Sequence, residues 1–115
     1  MDILIGRDPQ QSNLLVVVKH NGQSKATRLG QPGCVPNSVS RCNVANGTAH
    51  CLVTYDTDTK QMRVENLKSE NVTYVNDKAV ISKQINVEDQ LALGKDRFVI
   101  GVQSIQKIVG SILGL

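Results

Sequence analysis

The chain has few aromatic residues and no tryptophan, and this limits both its core and its ligands. Aromatics make up 3% of its 115 residues. Its core must therefore be filled by Val, Ile and Leu, and β-branched residues favour strands over helices. The scarcity also argues against a single-stranded nucleic-acid surface, where bases stack on aromatic side chains. A small nucleic-acid-binding barrel stays open only as a second alternative.

Long apolar runs and metal-ligand clusters are also absent from the sequence. No run approaches the roughly 18 to 20 apolar residues that a membrane span needs. Met1-Asp2 leads directly into strand-like sequence without a basic secretory leader. The three cysteines (Cys34, Cys42 and Cys51) and two histidines lack metal-ligand spacing. We therefore expect a cytoplasmic protein with no cofactor, no metal and no membrane contact within this sequence.

The net charge of +3 is compatible with an anionic ligand. It is too small to indicate nucleic acid, whose partners usually carry a dense basic stripe. The length suits one domain with a single modest core.

Turn signals recur about every eight to twelve residues, which is typical of an all-β sandwich or barrel. Asn21-Gly22 and Asn46-Gly47 are the strongest, because both dipeptides suit the positive φ angles of tight hairpin turns. The first should pair residues 14–19 with 24–29, the second of these segments being a charged edge strand. The spacing predicts an all-β domain of short strands and leaves both a sandwich and a barrel open.

A two-residue Asn46-Gly47 turn would place Cys42 opposite Cys51 and Asn43 opposite His50. Alternation then puts the two cysteines and Val44 on the core face and Asn43 and His50 on the other. Two buried thiols are the first interpretation, and a strained cross-strand disulfide is the alternative.

The last residues change period and predict a short amphipathic helix over 105–115, which follows the all-β domain over 1–104. The apolar positions are Ile105, Ile108, Val109, Ile112 and Leu113. A final strand, a disordered tail and the start of a longer apolar segment remain alternatives.

Three polar strings follow strand-like segments, namely Gly6-Arg7, Ser40-Arg41 and residues 67–76. In this order and wording they resemble the forkhead-associated (FHA) family, which carries Gly-Arg, Ser-Arg-x-His and a Ser-x-Asn-Gly-Thr-x-x-Asn-Gly loop. Residues 87–94 are similar to the family's closing strand pair. The resemblance extends from about Ile3 to Val102. It implies a two-sheet β-sandwich of about 10–11 short strands that holds phosphothreonine peptides in loops at one end.

The resemblance also implies roles for individual residues. Arg7 and Ser40 would grip the phosphate, Arg41 would assist them, Asn71 would bind the peptide backbone, and Lys68 would add positive field. Supporting roles in the loops would fall to Gly6, Ser69, Thr73 and Asn76. No catalytic residue is implied, so we expect a binding module and not an enzyme.

Three positions depart from the family pattern. Asn43 stands where the family has His, and His50 is a candidate replacement if it lies across the hairpin. Val72 replaces a Gly, and because a β-branched residue resists positive φ, the third loop should follow a different path. Glu70 places a carboxylate near the expected dianion, which it would repel.

The sequence therefore predicts an adaptor module that recognises a phosphothreonine-containing protein, such as a Ser/Thr kinase or its substrate. The alternative is a diverged FHA-like module for protein assembly that no longer binds phosphate. Either interpretation leaves the oligomeric state and the peptide preference open. Phosphate binding requires Arg7 and Ser40 to meet at an accessible rim of the folded chain.

Overall fold

The described residues of the chain form ten short strands in two antiparallel sheets and one C-terminal helix. A computed structural model describes residues 1–43, 45–68 and 70–114. The strands are β1 Asp2–Arg7, β2 Leu14–His20, β3 Gln23–Leu29, β4 Cys51–Tyr55, β5 Met62–Asn66, β6 Thr73–Val75, β7 Lys78–Val80, β8 Ser82–Ile85, β9 Gln90–Leu93 and β10 Phe98–Gly101. The six-stranded sheet has the order β3-β2-β1-β4-β5-β8 and the four-stranded sheet the order β10-β9-β6-β7. The predicted fold class is confirmed.

The β2–β3 hairpin forms as its turn dipeptide predicts. Asn21 and Gly22 have φ angles of 52° and 77°, and Lys19 pairs with Ser24 across the turn. This pattern suits a two-residue turn that matches strand twist. β3 lies at the sheet edge and is largely exposed, as predicted.

The second hairpin differs from the prediction. Asn43 pairs with Thr48 and not with His50, and the Asn43 side-chain oxygen accepts a hydrogen bond from Asn46 N at 3.3 Å. This side-chain bond stabilises a wider turn than a two-residue one. Cys42 is consequently not opposite Cys51, and Val44, which was expected on the core face, lies outside the described residues.

The segment around this turn covers the outer face of the six-stranded sheet. Cys42 and Ala49 pack with Leu4, Leu15 and Val17 in a small cluster separate from the main core. This second layer explains why β2 is apolar on both faces, since strands buried on both sides read as continuous apolar runs.

The main core lies between the two sheets and the helix α1, Val102–Leu113. Ile3 and Val53 contribute from one sheet, and Leu91 from the other. Ile105 and Val109 of α1 are 0% and 2% exposed. The helix begins three residues before its predicted start and belongs to this core, while the division of the chain at Ser104 stays a prediction.

All three cysteines are free thiols, Cys34 exposed and the other two buried. Burial raises the pKa of Cys42 to about 11 and that of Cys51 to about 12, so both are neutral near pH 7. Within the described part of the chain, no helix is long and apolar enough to cross a bilayer.

Candidate functional site

The site begins where the end of β1 meets the loop that contains Ser40. Arg7 N donates to Ser40 O at 2.9 Å, and Cys42 N donates to Arg7 O at 2.8 Å. A Cβ atom on Gly6 would lie 2.7 Å from Ser40 O. Glycine is therefore required at position 6 because the two backbones approach too closely for a side chain.

This backbone pairing brings two arginines together. Arg7 and Arg41 form a parallel bridge, and Arg7 Nε donates to Val39 O at 3.1 Å. Asp8, the next residue along the chain, is 2% exposed and pairs instead with Arg28 at 3.4 Å. Across residues 1–43, 45–68 and 70–114, neither Arg7 nor Arg41 forms an ion pair. The backbone pairing thus sets two arginines side by side at the rim, and no ion pair to a described carboxylate holds either one.

Ser40 lies beside this pair and contacts the third loop. Asn71 Nδ2 donates to Ser40 Oγ at 2.5 Å. Ser40 is 8% exposed, so its hydroxyl is less accessible than the sequence interpretation required. Because the Asn71 side chain occupies one side of this hydroxyl, an incoming anion would approach it from another side or after the Asn71 side chain changes rotamer.

His50 connects two loops of the site through hydrogen bonds of its ring nitrogens. It is 0% exposed, Ser40 N donates to its Nδ1 at 3.1 Å, and its Nε2 lies 2.9 Å from Val72 O. Because Nδ1 accepts a hydrogen bond from Ser40 N, Nε2 must carry the ring hydrogen and donate it to Val72 O. Burial lowers the pKa of His50, which keeps the ring neutral. The polar surface position that strand alternation predicts for His50 is wrong, because the side chain is buried. Its contacts support the role of a brace between the two loops.

The third loop is held by its own polar residues. Thr73 is fully buried, and its hydroxyl donates to Asn66 Oδ1 at 2.8 Å. Asn66 Nδ2 in turn donates to Lys68 O at 2.9 Å, and Asn71 N donates to the same carbonyl at 3.1 Å. Lys68 therefore enters the site through its backbone, and the predicted support from Ser69 lies outside the described residues.

Asn76 belongs to a different turn. Its φ is 49°, its side-chain nitrogen donates to Asp89 Oδ1 at 2.7 Å, and its side-chain oxygen accepts from Gln90 N at 3.1 Å. The hydrogen bond from Asn86 N and, to a smaller extent, the one from Asn76 Nδ2 lower the pKa of Asp89. Asn76 fixes the turn that joins β6 to β7 and is bonded to none of the residues that surround Ser40.

A cleft beside Asn71 was missed by sequence reasoning. Its volume is about 630 Å³, and it is lined by Asn37, Ser38, Glu70, Asn71, Val72, Tyr74, Lys95 and Asp96. Ser38 Oγ donates to Asp96 Oδ2 at 2.8 Å, which joins two walls. Gly94 N donates to Val72 O at 2.9 Å, and its φ is 77°. Gly94 itself was the one sequence signal for this contact, because its partner Val72 is distant in the sequence.

The fold and rim together define a class of protein, namely an antiparallel β-sandwich with a braced cationic site built from loops at one end. Within the described residues, no group of three or more His, Cys, Asp or Glu could hold a metal ion.

The family model of the FHA domain matches residues 45–94 of this chain. The match confirms the resemblance to the forkhead-associated family, whose members are β-sandwiches and generally serve as phosphopeptide-binding interaction modules. The matched range contains His50 and Asn71 but begins after Arg7, Ser40 and Arg41. Neither the curated proteins nor the solved structures gave a match.

Proposed function

We propose that this chain binds a phosphothreonine-containing segment of another protein at the rim formed by Arg7, Ser40, Arg41 and Asn71. It would act as a non-catalytic adaptor in Ser/Thr kinase signalling, and its partner would be a kinase or a kinase substrate.

The observation that carries the proposal is the juxtaposition of Arg7 and Arg41 without a described carboxylate partner, next to the Ser40 hydroxyl. A phosphate dianion needs charge-assisted donors in fixed geometry, and the planar guanidinium fork supplies them. Each hydrogen bond to a charged group contributes about 1.5 to 3 kcal/mol. Two or three such bonds with further peptide contacts are sufficient for micromolar affinity, which corresponds to about −8 kcal/mol.

The bracing of the loops supports recognition because a preorganised site loses less conformational entropy when it binds. His50 fixes Ser40 and Val72, and Thr73 with Asn66 fixes the start of the third loop. The cleft beyond Asn71 is positioned to receive the residues that flank the phosphothreonine.

The contacts of Ser40 favour binding over catalysis. Its hydroxyl is bonded to the Asn71 amide, and an amide nitrogen does not accept a proton from a nucleophile. The nearby His50 bonds to two backbone groups, so its ring is not directed at the Ser40 hydroxyl as a general base must be.

A second candidate function is assembly without phosphate recognition. The low exposure of Ser40, 8%, and the position of Glu70 on the cleft wall favour it. In this case the rim contacts a partner protein constitutively, and phosphorylation of that partner changes nothing.

A calorimetric titration separates the two candidates. An oriented library identifies a phosphothreonine peptide, and that peptide and its unphosphorylated counterpart are titrated into the intact chain. Phosphate recognition predicts micromolar binding of the first and a loss of about tenfold to a hundredfold for the second. Equal affinities would favour the assembly function, and light scattering of the intact chain over a range of concentrations would then report self-association.

A further inference from the structure

A groove runs between the helix α1 and the edge strand β3. It consists of two adjoining cavities of about 390 and 200 Å³, which share Lys25, Ser111 and Ile112. In the β1–β2 register Arg7 pairs with Leu14, whereas the β2–β3 turn lies beyond Lys19 at the other end of the sheet. The larger cavity includes that turn, so the groove shares no residue with the proposed phosphate site.

The groove combines an apolar floor with a cationic rim. Val18, Ile108 and Ile112 contribute aliphatic surface, and Lys25 and Lys107 stand at its edges. Both isoleucines are half-buried. In the described part of the chain, neither lysine takes part in an ion pair.

The two segments of the chain that line the groove contain lysine but no acidic residue. No Asp or Glu occurs from residue 9 to residue 55 or from residue 97 to the end. The groove is lined only by residues of these two segments. The lining of the groove therefore offers lysine side chains and no carboxylate to an approaching anionic group.

The strand that borders the groove also offers its backbone. Among the described strands β3 pairs only with β2, and most of its seven residues are exposed. An edge strand presents a row of N–H and C=O groups that another extended segment can pair with. Lysine on the edge opposes pairing with a second copy of this basic chain but attracts a strand that carries carboxylates.

We propose that the groove binds an extended acidic segment of a partner protein, whose backbone pairs with β3. Its carboxylates would contact Lys25 and Lys107, and its alternate aliphatic side chains would lie on Ile108 and Ile112. A protein segment suits the groove better than nucleic acid because no Phe, Tyr or Trp is among the described lining residues, and His20 supplies the one ring there. It suits the groove better than a lipid surface because the apolar residues are recessed between a helix and a strand.

The test uses a fluorescent peptide as long as β3, seven residues, in which glutamate alternates with valine. Binding to the intact chain is followed by anisotropy, and the contacted amides are located by NMR. We expect saturable binding with shifts in residues 23–27 and 107–112. Lys25→Glu should weaken it by about tenfold or more, since an attraction becomes a repulsion.

Lys83→Glu is the matched control because Lys83 is an exposed lysine on the other edge strand of the same sheet, β8. It should leave the affinity unchanged, as should Arg7→Ala, which separates this groove from the phosphate site. Equal loss in Lys25→Glu and Lys83→Glu, shifts centred on Ser40, or equal binding of a lysine-valine peptide would overturn the proposal. Tighter binding of single-stranded DNA or of anionic phosphatidylserine vesicles at the same amides would also overturn it.

Discussion

His50 Nδ1 lies 3.1 Å from the backbone nitrogen of Ser40, and this contact fixes the ionisation state of a buried ring. The Ser40 N–H occupies the lone pair that a proton would need, so a charged His50 would lose this bond. The same ring donates to Val72 O. The histidine therefore joins two loops of the candidate site only in its neutral form.

Stability should fall when the pH drops below the pKa of an unfolded histidine, about 6.5. Burial lowers the pKa of His50 in the folded protein, so the unfolded chain binds the proton first. The stabilisation is complete above that value and is lost as the pH falls toward the lowered folded pKa. Urea unfolding should show a slope of up to about 1.4 kcal/mol per pH unit as the pH falls below about 6.5. His50→Gln should reduce this slope, and an unchanged slope would contradict the assignment.

Gly94→Ala should destabilise the protein more than Gly22→Ala. Both glycines have φ 77°, so the left-handed backbone costs each alanine about 1 kcal/mol. A Cβ atom at position 94 would lie 2.5 Å from Ser38 O, whereas one at position 22 would have no neighbour within 4 Å. The additional clash should cost about 1 to 3 kcal/mol in urea unfolding. Equal losses would mean that the loops at Gly94 are not closely packed.

Ile105→Ala should lower the free energy of unfolding by about 2 to 5 kcal/mol, because the side chain is 0% exposed in the main core. Gln106→Ala, on the exposed side of the same helix, should change it by less than about 0.5 kcal/mol. Urea unfolding monitored by circular dichroism measures both. Similar small effects would show that α1 is a dispensable tail and not part of the core.

The two Asn-Gly dipeptides illustrate which parts of the fold can be predicted locally. At Asn21-Gly22 the strands on both sides are regular, and the turn determines their register. At Asn46-Gly47 the Asn43 side chain bonds to Asn46 N, and the segment also covers the outer face of the large sheet. Tertiary packing and a side-chain bond therefore decide the second register, and neither is visible in a dipeptide.

The candidate site was only partly predictable for a similar reason. The motifs indicated Arg7, Ser40, Arg41 and Asn71, and these residues lie together at one rim. The low exposure of Ser40 and the burial of His50 arise from contacts with a third loop. Strand alternation places His50 on a polar face, and nothing in the sequence states that Val72 O lies above that face.

The phosphate-dependent part of peptide affinity tests the central claim most directly. The Kd of an unphosphorylated peptide divided by the Kd of its phosphothreonine counterpart is measured for the unmodified chain, for Arg7→Ala and for Arg63→Ala. Arg63 is the control because it is an exposed arginine on β5 that bonds to Ser82. We predict that Arg7→Ala reduces the ratio by about tenfold or more and that Arg63→Ala leaves it unchanged. A ratio near one in the unmodified chain, or equal ratios in all three proteins, would contradict phosphate recognition at Arg7.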